Sequence, residues 1–147
     1  MLNKKSILIT VIFILFAIPF VKGSFLQPSQ SAYGSGSSTF TTYEMAIKDN
    51  KPTVILFYTD WCTYCRRFIP KFNSVAASNS DKFNFVKINI EKPQKNIAIA
   101  NQYGIRSIPT VYIVDSRYKI KKQVSSNAQV SAETFQNELN RYFKQRR

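Results

Sequence analysis

From about Thr39 onward the apolar residues of this 147-residue chain change period several times, and each change marks an element. Thr41 or Thr42 followed by Glu44 opens a short helical segment with Tyr43, Ala46 and Ile47 at helical spacing, ending near Asn50 ahead of Lys51-Pro52. Thr53 to Tyr58 is apolar and rich in β-formers, which predicts a buried strand. From about Cys62 to Ala77, Phe68, Ile69, Phe72, Val75 and Ala76 fall along one side of a helix. Pro70 lies inside it and predicts a kink, because proline removes a backbone donor and crowds the preceding turn. Phe83 to Ile90 mixes alternation with continuous apolarity as a second strand, which Pro93 closes. Asn96 to Tyr103 is a short helix stopped by Gly104, whose freedom at positive φ suits a helix end. Thr110 to Val114 is a third strand, and Asp115-Ser116-Arg117 turns it into a fourth, Tyr118 to Val124. The last helix runs from Ser131, its N-cap, to about Lys144, with Glu133 standing in for Thr134 in the capping box. Its apolar stripe is Phe135, Leu139, Tyr142 and Phe143.

The order is αβαβαββα. Helices between the earlier strands predict parallel pairing there, and the tight turn predicts one antiparallel hairpin at the end. The fold class is therefore α/β, with a central mixed sheet of about four strands and helices on both faces.

Upstream of Thr39 the pattern is of another kind. Lys4 and Lys5 precede an uncharged apolar stretch from Ile7 to Val21, interrupted only by Thr10 and Pro19. A membrane span needs roughly 17 to 25 residues, so this stretch has the size of a signal-peptide core behind a basic leader. Residues 1–23 are read as a signal peptide cleaved after Gly23 or as an uncleaved N-terminal anchor, a tether to the inner membrane. Both place the rest of the chain outside the cytoplasm, in the periplasm or another extracytoplasmic space, because the lysines stay inside. Residues 24–38, rich in Ser, Gly and Gln, read as a flexible linker, and 39–147 as one domain.

The formal charge of +13 adds little to this picture. Without Lys4, Lys5 and Lys22 there remain 18 basic and 8 acidic residues, and the bases are scattered apart from Lys119, Lys121, Lys122 and the run from Arg141 to Arg147. No basic helix carries interleaved aromatics, so nucleic acid is not an expected partner; a solvated basic surface is, with anionic lipid headgroups as the alternative.

The chemistry is concentrated at Trp61-Cys62-Thr63-Tyr64-Cys65, which holds both cysteines of the chain. The first falls just past the buried strand and the second one turn into the helix. A helix N-terminus stabilises negative charge, so Cys62 is expected to be the lowered-pKa nucleophile and Cys65 the resolving thiol, with Arg66 and Arg67 adding to the positive field. The chain has no His, which removes Ser-His and Cys-His hydrolysis and leaves too few ligands for a zinc site; no metal and no cofactor is expected. A purely structural Cys62–Cys65 disulfide is the other reading, though so small a loop constrains the unfolded chain little.

Trp61-Cys62-x-x-Cys65, Pro70, Lys87-Ile88-Asn89-Ile90-Glu91 and Tyr103-Gly104-Ile105-Arg106-Ser107-Ile108-Pro109-Thr110 together resemble the thioredoxin family in order and spacing. The resemblance implies a thioredoxin fold and a redox-active dithiol. It further implies that Pro109 is a cis-proline beside the active site, that Ile108 presents its backbone to a substrate chain, and that Trp61 flanks the cysteines; Thr63 and Tyr64 complete the substrate-contacting set. Two positions depart from the family pattern. Thr63-Tyr64 stands where thioredoxins usually carry Gly-Pro, and Leu56 stands where they bury an aspartate that relays a proton to the resolving thiol. Lys87, whose counterpart neighbours that aspartate, is the candidate for proton-transfer support.

The function expected is that of an exported protein-disulfide oxidoreductase, working as a reductase on protein disulfides and recharged by a redox partner. The alternatives are a disulfide oxidase or isomerase, and a thioredoxin-fold binding or assembly module whose cysteines are dispensable.

Overall fold

In the computed structural model, which describes residues 39–145, the strands are β1 (Thr53–Tyr58), β2 (Asn84–Asn89), β3 (Thr110–Asp115) and β4 (Ile120–Gln123). The helices are α1 (Tyr43–Ala46), α2 (Thr63–Asn79), α3 (Gln94–Gln102) and α4 (Ala132–Gln145). The readings of 1–23 as leader and 24–38 as linker lie outside the described residues.

The strands form one sheet in the order β2-β1-β3-β4. β1 is central because it is apolar on both faces: Val54, Ile55, Leu56 and Phe57 are all fully buried. It pairs with β2 in parallel, Leu56 opposite Lys87, and with β3 antiparallel, Leu56 opposite Val111. The expectation of parallel pairing among the helix-separated strands thus holds for β1 and β2 and fails for β3. The connection after α3 carries the chain over to the far side of β1, so β3 starts where β1 ends, with Phe57 opposite Thr110. That reversal places Pro109 at the same end of the sheet as the cysteine turn.

Alternating residues of the strands feed two cores. Val54, Leu56, Phe85, Val111 and Ile113 meet Phe68, Phe72, Val75 and Ala76 of α2 and Phe135, Leu139 and Tyr142 of α4. Ile55, Phe57, Val86 and Ile88 meet Ala46 of α1 and Ile99 and Ala100 of α3 on the opposite face. In the first core Phe72 lies 5.7 Å from both Phe85 and Phe135, and Phe68 is 5.4 Å from Phe135. Each such ring contributes about 1.5 to 3 kcal/mol through burial alone.

Several local expectations change. α1 is a single turn, not a helix to Asn50: after Ile47 the chain tightens into Lys48 N–H to Met45 and Asp49 N–H to Ala46 contacts, and Asp49 Oδ1 takes the Asn50 N–H at 2.6 Å. α2 carries Pro70 within its span, as the sequence places it. In α4 the capping box is made by Thr134 itself and not by Glu133. Ser131 Oγ accepts the Thr134 N–H at 3.0 Å, and Thr134 Oγ1 accepts the Ser131 N–H at 3.1 Å. α3 ends as expected, with Gly104 at φ +63 and the Gly104 and Ile105 N–H groups bonded to Asn101 and Ala100. The bases of β4 form no patch: Lys121 lies 4.1 Å over the Tyr103 ring, whereas Lys122 pairs with buried Glu138 at 2.9 Å.

Candidate active site

β1 stops at Tyr58, and the chain turns through Thr59, Asp60 and Trp61 before α2 begins. Cys62 is the N-cap, extended at φ −69 and ψ 114, and its sulfur accepts the Cys65 N–H at 3.2 Å, as a serine or aspartate would. The Cys62 thiol also points to the Ile108 carbonyl oxygen, donating to it at 3.9 Å. The Ile108–Pro109 peptide is cis, as is Lys92–Pro93, which the sequence reading did not anticipate.

Both cysteines are free thiols but sit at different depths. Cys62 keeps 6% of its surface, whereas Cys65 keeps none. Burial pushes the Cys65 thiol up to about 12; the hydrogen bond to the Cys62 side chain adds to this, and the Thr59 backbone amide opposes it. The N-terminal end of α2 is positive by its dipole, its first turn holds no acidic residue, and Arg66 and Arg67 follow on exposed positions. Thr59 itself is buried, and its Oγ1 has no hydrogen-bond partner among the described residues.

Trp61 is 67% exposed, yet its indole N–H donates to Glu91 Oε1 at 2.7 Å. Asn89 braces the same corner: its Nδ2 donates to Asp60 Oδ2 at 3.0 Å, and its Oδ1 accepts the Glu91 N–H at 3.0 Å. Asp60 also pairs with Lys92 at 3.4 Å, so this carboxylate is engaged at the rim. The roles of Asn89 and Glu91 escaped the sequence reading. Both lie in the Lys87–Glu91 block, but only the fold shows that the turn after β2 reaches Trp61.

Leu56 is fully buried in the first core, where the family places its acid. Lys87, its partner across the sheet, donates to Asn73 Oδ1 at 3.3 Å and stands 4.0 Å over the Phe40 ring. Burial lowers its pKa.

Beside the cysteines a groove of about 390 Å³ runs between the first turns of α2 and the segment before α4. Tyr64, Ile108 and Pro109 line it, together with Phe68 and Val130. Thr63 and Tyr64 are exposed, Tyr64 to 72%. The structure thus brings Cys62, Ile108, Pro109 and Tyr64 to one surface, with Cys65 sealed beneath Cys62. Among the described residues no cluster of side chains could hold a metal ion.

Comparison with known proteins agrees with this geometry. The thioredoxin family model matches residues 36–141. The chain is 35% identical over 75 residues to the chloroplastic thioredoxin-like protein HCF164 of Oryza sativa subsp. japonica, a match covering 51% of this chain and 28% of that protein. It is 32% identical over 106 residues to the thiol:disulfide interchange protein TxlA of Synechococcus elongatus, covering 71% of this chain and 54% of TxlA. The chain therefore spans between about a quarter and about a half of these two relatives. Among solved structures, the Trx4 domain of ERdj5 superposes with a TM-score of 0.57 at 23% identity, over 69% of this chain and 88% of that one, a likeness of fold. The chain belongs to the thioredoxin family, and the domain that carries Cys62 and Cys65 has the thioredoxin fold.

Proposed function

We propose that this protein is an exported thiol:disulfide oxidoreductase that reduces disulfides in protein substrates through Cys62 and Cys65. The carrying observation is the asymmetry of the two thiols: Cys62 at the rim facing Ile108, and Cys65 sealed with its thiol raised to about 12. Cys62 as thiolate attacks one substrate sulfur, and the other leaves as a thiolate that takes a proton from solvent. The substrate is then joined to Cys62 by a mixed disulfide. Cys65 loses its proton and attacks the Cys62 sulfur; the Cys62–Cys65 disulfide forms, and the second substrate thiolate departs and is protonated. Two electrons have passed from the dithiol to the substrate, and a reducing partner must return them.

Trp61, Thr63, Tyr64, Ile108 and Pro109 serve as the docking surface, where an extended substrate pairs with the Ile108 backbone as a strand adds to an edge. Lys87 supports removal of the Cys65 proton in the absence of a buried acid; its lowered pKa favours that role. Export rests on the basic leader and apolar stretch of residues 1–23, as cleaved signal or tether. The reducing direction rests on Ile108 ahead of Pro109, similar to reducing thioredoxins, while Thr63-Tyr64 between the cysteines supports an oxidase or isomerase. The reduction potential separates these: a value near thioredoxin's, roughly −270 mV, fits the reductase, and one near −120 mV overturns it. Insulin disulfide reduction by the wild type and its loss in Cys62→Ser test the chemistry itself.

A further inference from the structure

We infer that the groove beside Cys62 selects substrates carrying acidic residues close to the reacting cysteine, a specificity that rests on the redox reading above and deepens it. Tyr64, Arg67, Phe68 and Lys71 fall at helical spacing along α2, and all four line the groove. Its apolar lining comes from Phe68, Ile108, Pro109 and the 66% exposed Val130, and Ser107, Ser126 and Gln129 add neutral polar groups. The charged side chains lining it are both cationic, Arg67 and Lys71, and no carboxylate joins them. Lys71 donates to the carbonyl of Val130, which also lines the groove. Arg67 is exposed and makes no ion pair among the described residues, leaving its planar donor fork available to a carboxylate.

The helix rise of about 1.5 Å per residue sets Arg67 and Lys71 about 8 and 14 Å along the axis from Cys62. An extended peptide advances about 3.3 Å per residue, so the matching acidic side chains lie about two and four residues from the substrate cysteine. The occupant is thus an extended, acidic segment of a disulfide-bonded protein, its apolar side chains against Val130 and Pro109.

The test uses the full chain, fully reduced, in single-turnover reactions with peptide pairs joined by one disulfide and carrying a fluorescent donor and quencher. One set places Glu about two and four residues from the cysteine on either side; a second, of equal net charge, places the same Glu residues at the peptide's distal end; a third has Gln throughout. Near Glu is expected to speed reduction about three- to five-fold over distal Glu at low salt, and the advantage should shrink at high salt. In Arg67→Gln the ratio of near to distal Glu should fall toward one, and in the double variant Arg67→Glu with Lys71→Glu it should invert. Equal rates for near and distal Glu in the wild type, at any salt, would overturn the specificity while leaving the redox reading standing. Failure of the wild type to reduce any peptide would remove the redox reading, and the specificity with it.

Discussion

Raising the pH above the ordinary thiol range should weaken the fold in part through Cys65. Its thiol is held at about 12, against 9.0 for a free thiol, chiefly by burial. The folded pKa is raised above the unfolded one, so this stability is fully present below pH 9 and is lost as pH rises through 12. Between those values the unfolded chain has released the proton and the native chain still holds it. Stability therefore falls with pH, by up to about 1.4 kcal/mol per pH unit and about 4 kcal/mol in all. The lysines and tyrosines titrate in the same range, so the useful quantity is a difference. Urea unfolding of the fully reduced wild type and of Cys65→Ala, measured from about pH 8 to pH 11, cancels the common groups. The wild type should lose about 2 kcal/mol relative to the variant between about pH 9 and pH 11. Carbon-13 labelling of the cysteine β-carbons should show the Cys65 resonance still unshifted at the lower of these values. A difference that stays flat, or a Cys65 resonance titrating near the free-thiol value, would refute the assignment of Cys65 as the sealed partner.

Four further outcomes follow from the same geometry. Cys65→Ser should accumulate a mixed disulfide between Cys62 and substrate, seen on non-reducing gels and cleared by reductant, whereas Cys62→Ser should trap none. Lys87→Met keeps the stem against Phe40 but removes the titrating group; it should slow release of that mixed disulfide about tenfold at neutral pH, with the gap closing in alkali, as stopped-flow at a series of pH values would register. Phe72→Ala empties a fully buried site between Phe85 and Phe135 and should cost about 3 to 5 kcal/mol in urea unfolding. Glu91→Ala frees the single tryptophan of the chain from its 2.7 Å acceptor, so the fluorescence anisotropy of Trp61 should fall while stability changes by less than about 1 kcal/mol.

The order of elements, the strand Thr53–Tyr58 and the apolar face of α2 were legible in the sequence because periodicity and punctuation are local properties. So were the cysteine turn and the Ile108-Pro109 block, whose spacing identifies the family. Buried polar groups were not legible. Glu138 lies on the same side of α4 as Phe135 and Leu139 and is buried because Lys122 of β4 and Arg141 close on it at 2.9 and 2.8 Å. Asp115 is likewise buried beneath the Tyr142 hydroxyl, which donates to it at 2.8 Å. Nothing in the local pattern distinguishes either acid from an exposed one.

The sequence by itself determined that both sulfurs sit at the start of one helix, because three residues is one turn and the preceding strand is apolar on both faces. Only the tertiary structure decided what surrounds them. The antiparallel placement of β3 sets Ile108 against Cys62, the turn after β2 gives Trp61 its anchor, and the segment before α4 closes a groove over Arg67 and Lys71. These contacts join residues far apart in the chain, and their partners are chosen by how the sheet is ordered. Depth, too, was decided there: two cysteines in one turn differ in burial because α2 turns one sulfur into the core and leaves the other at the rim.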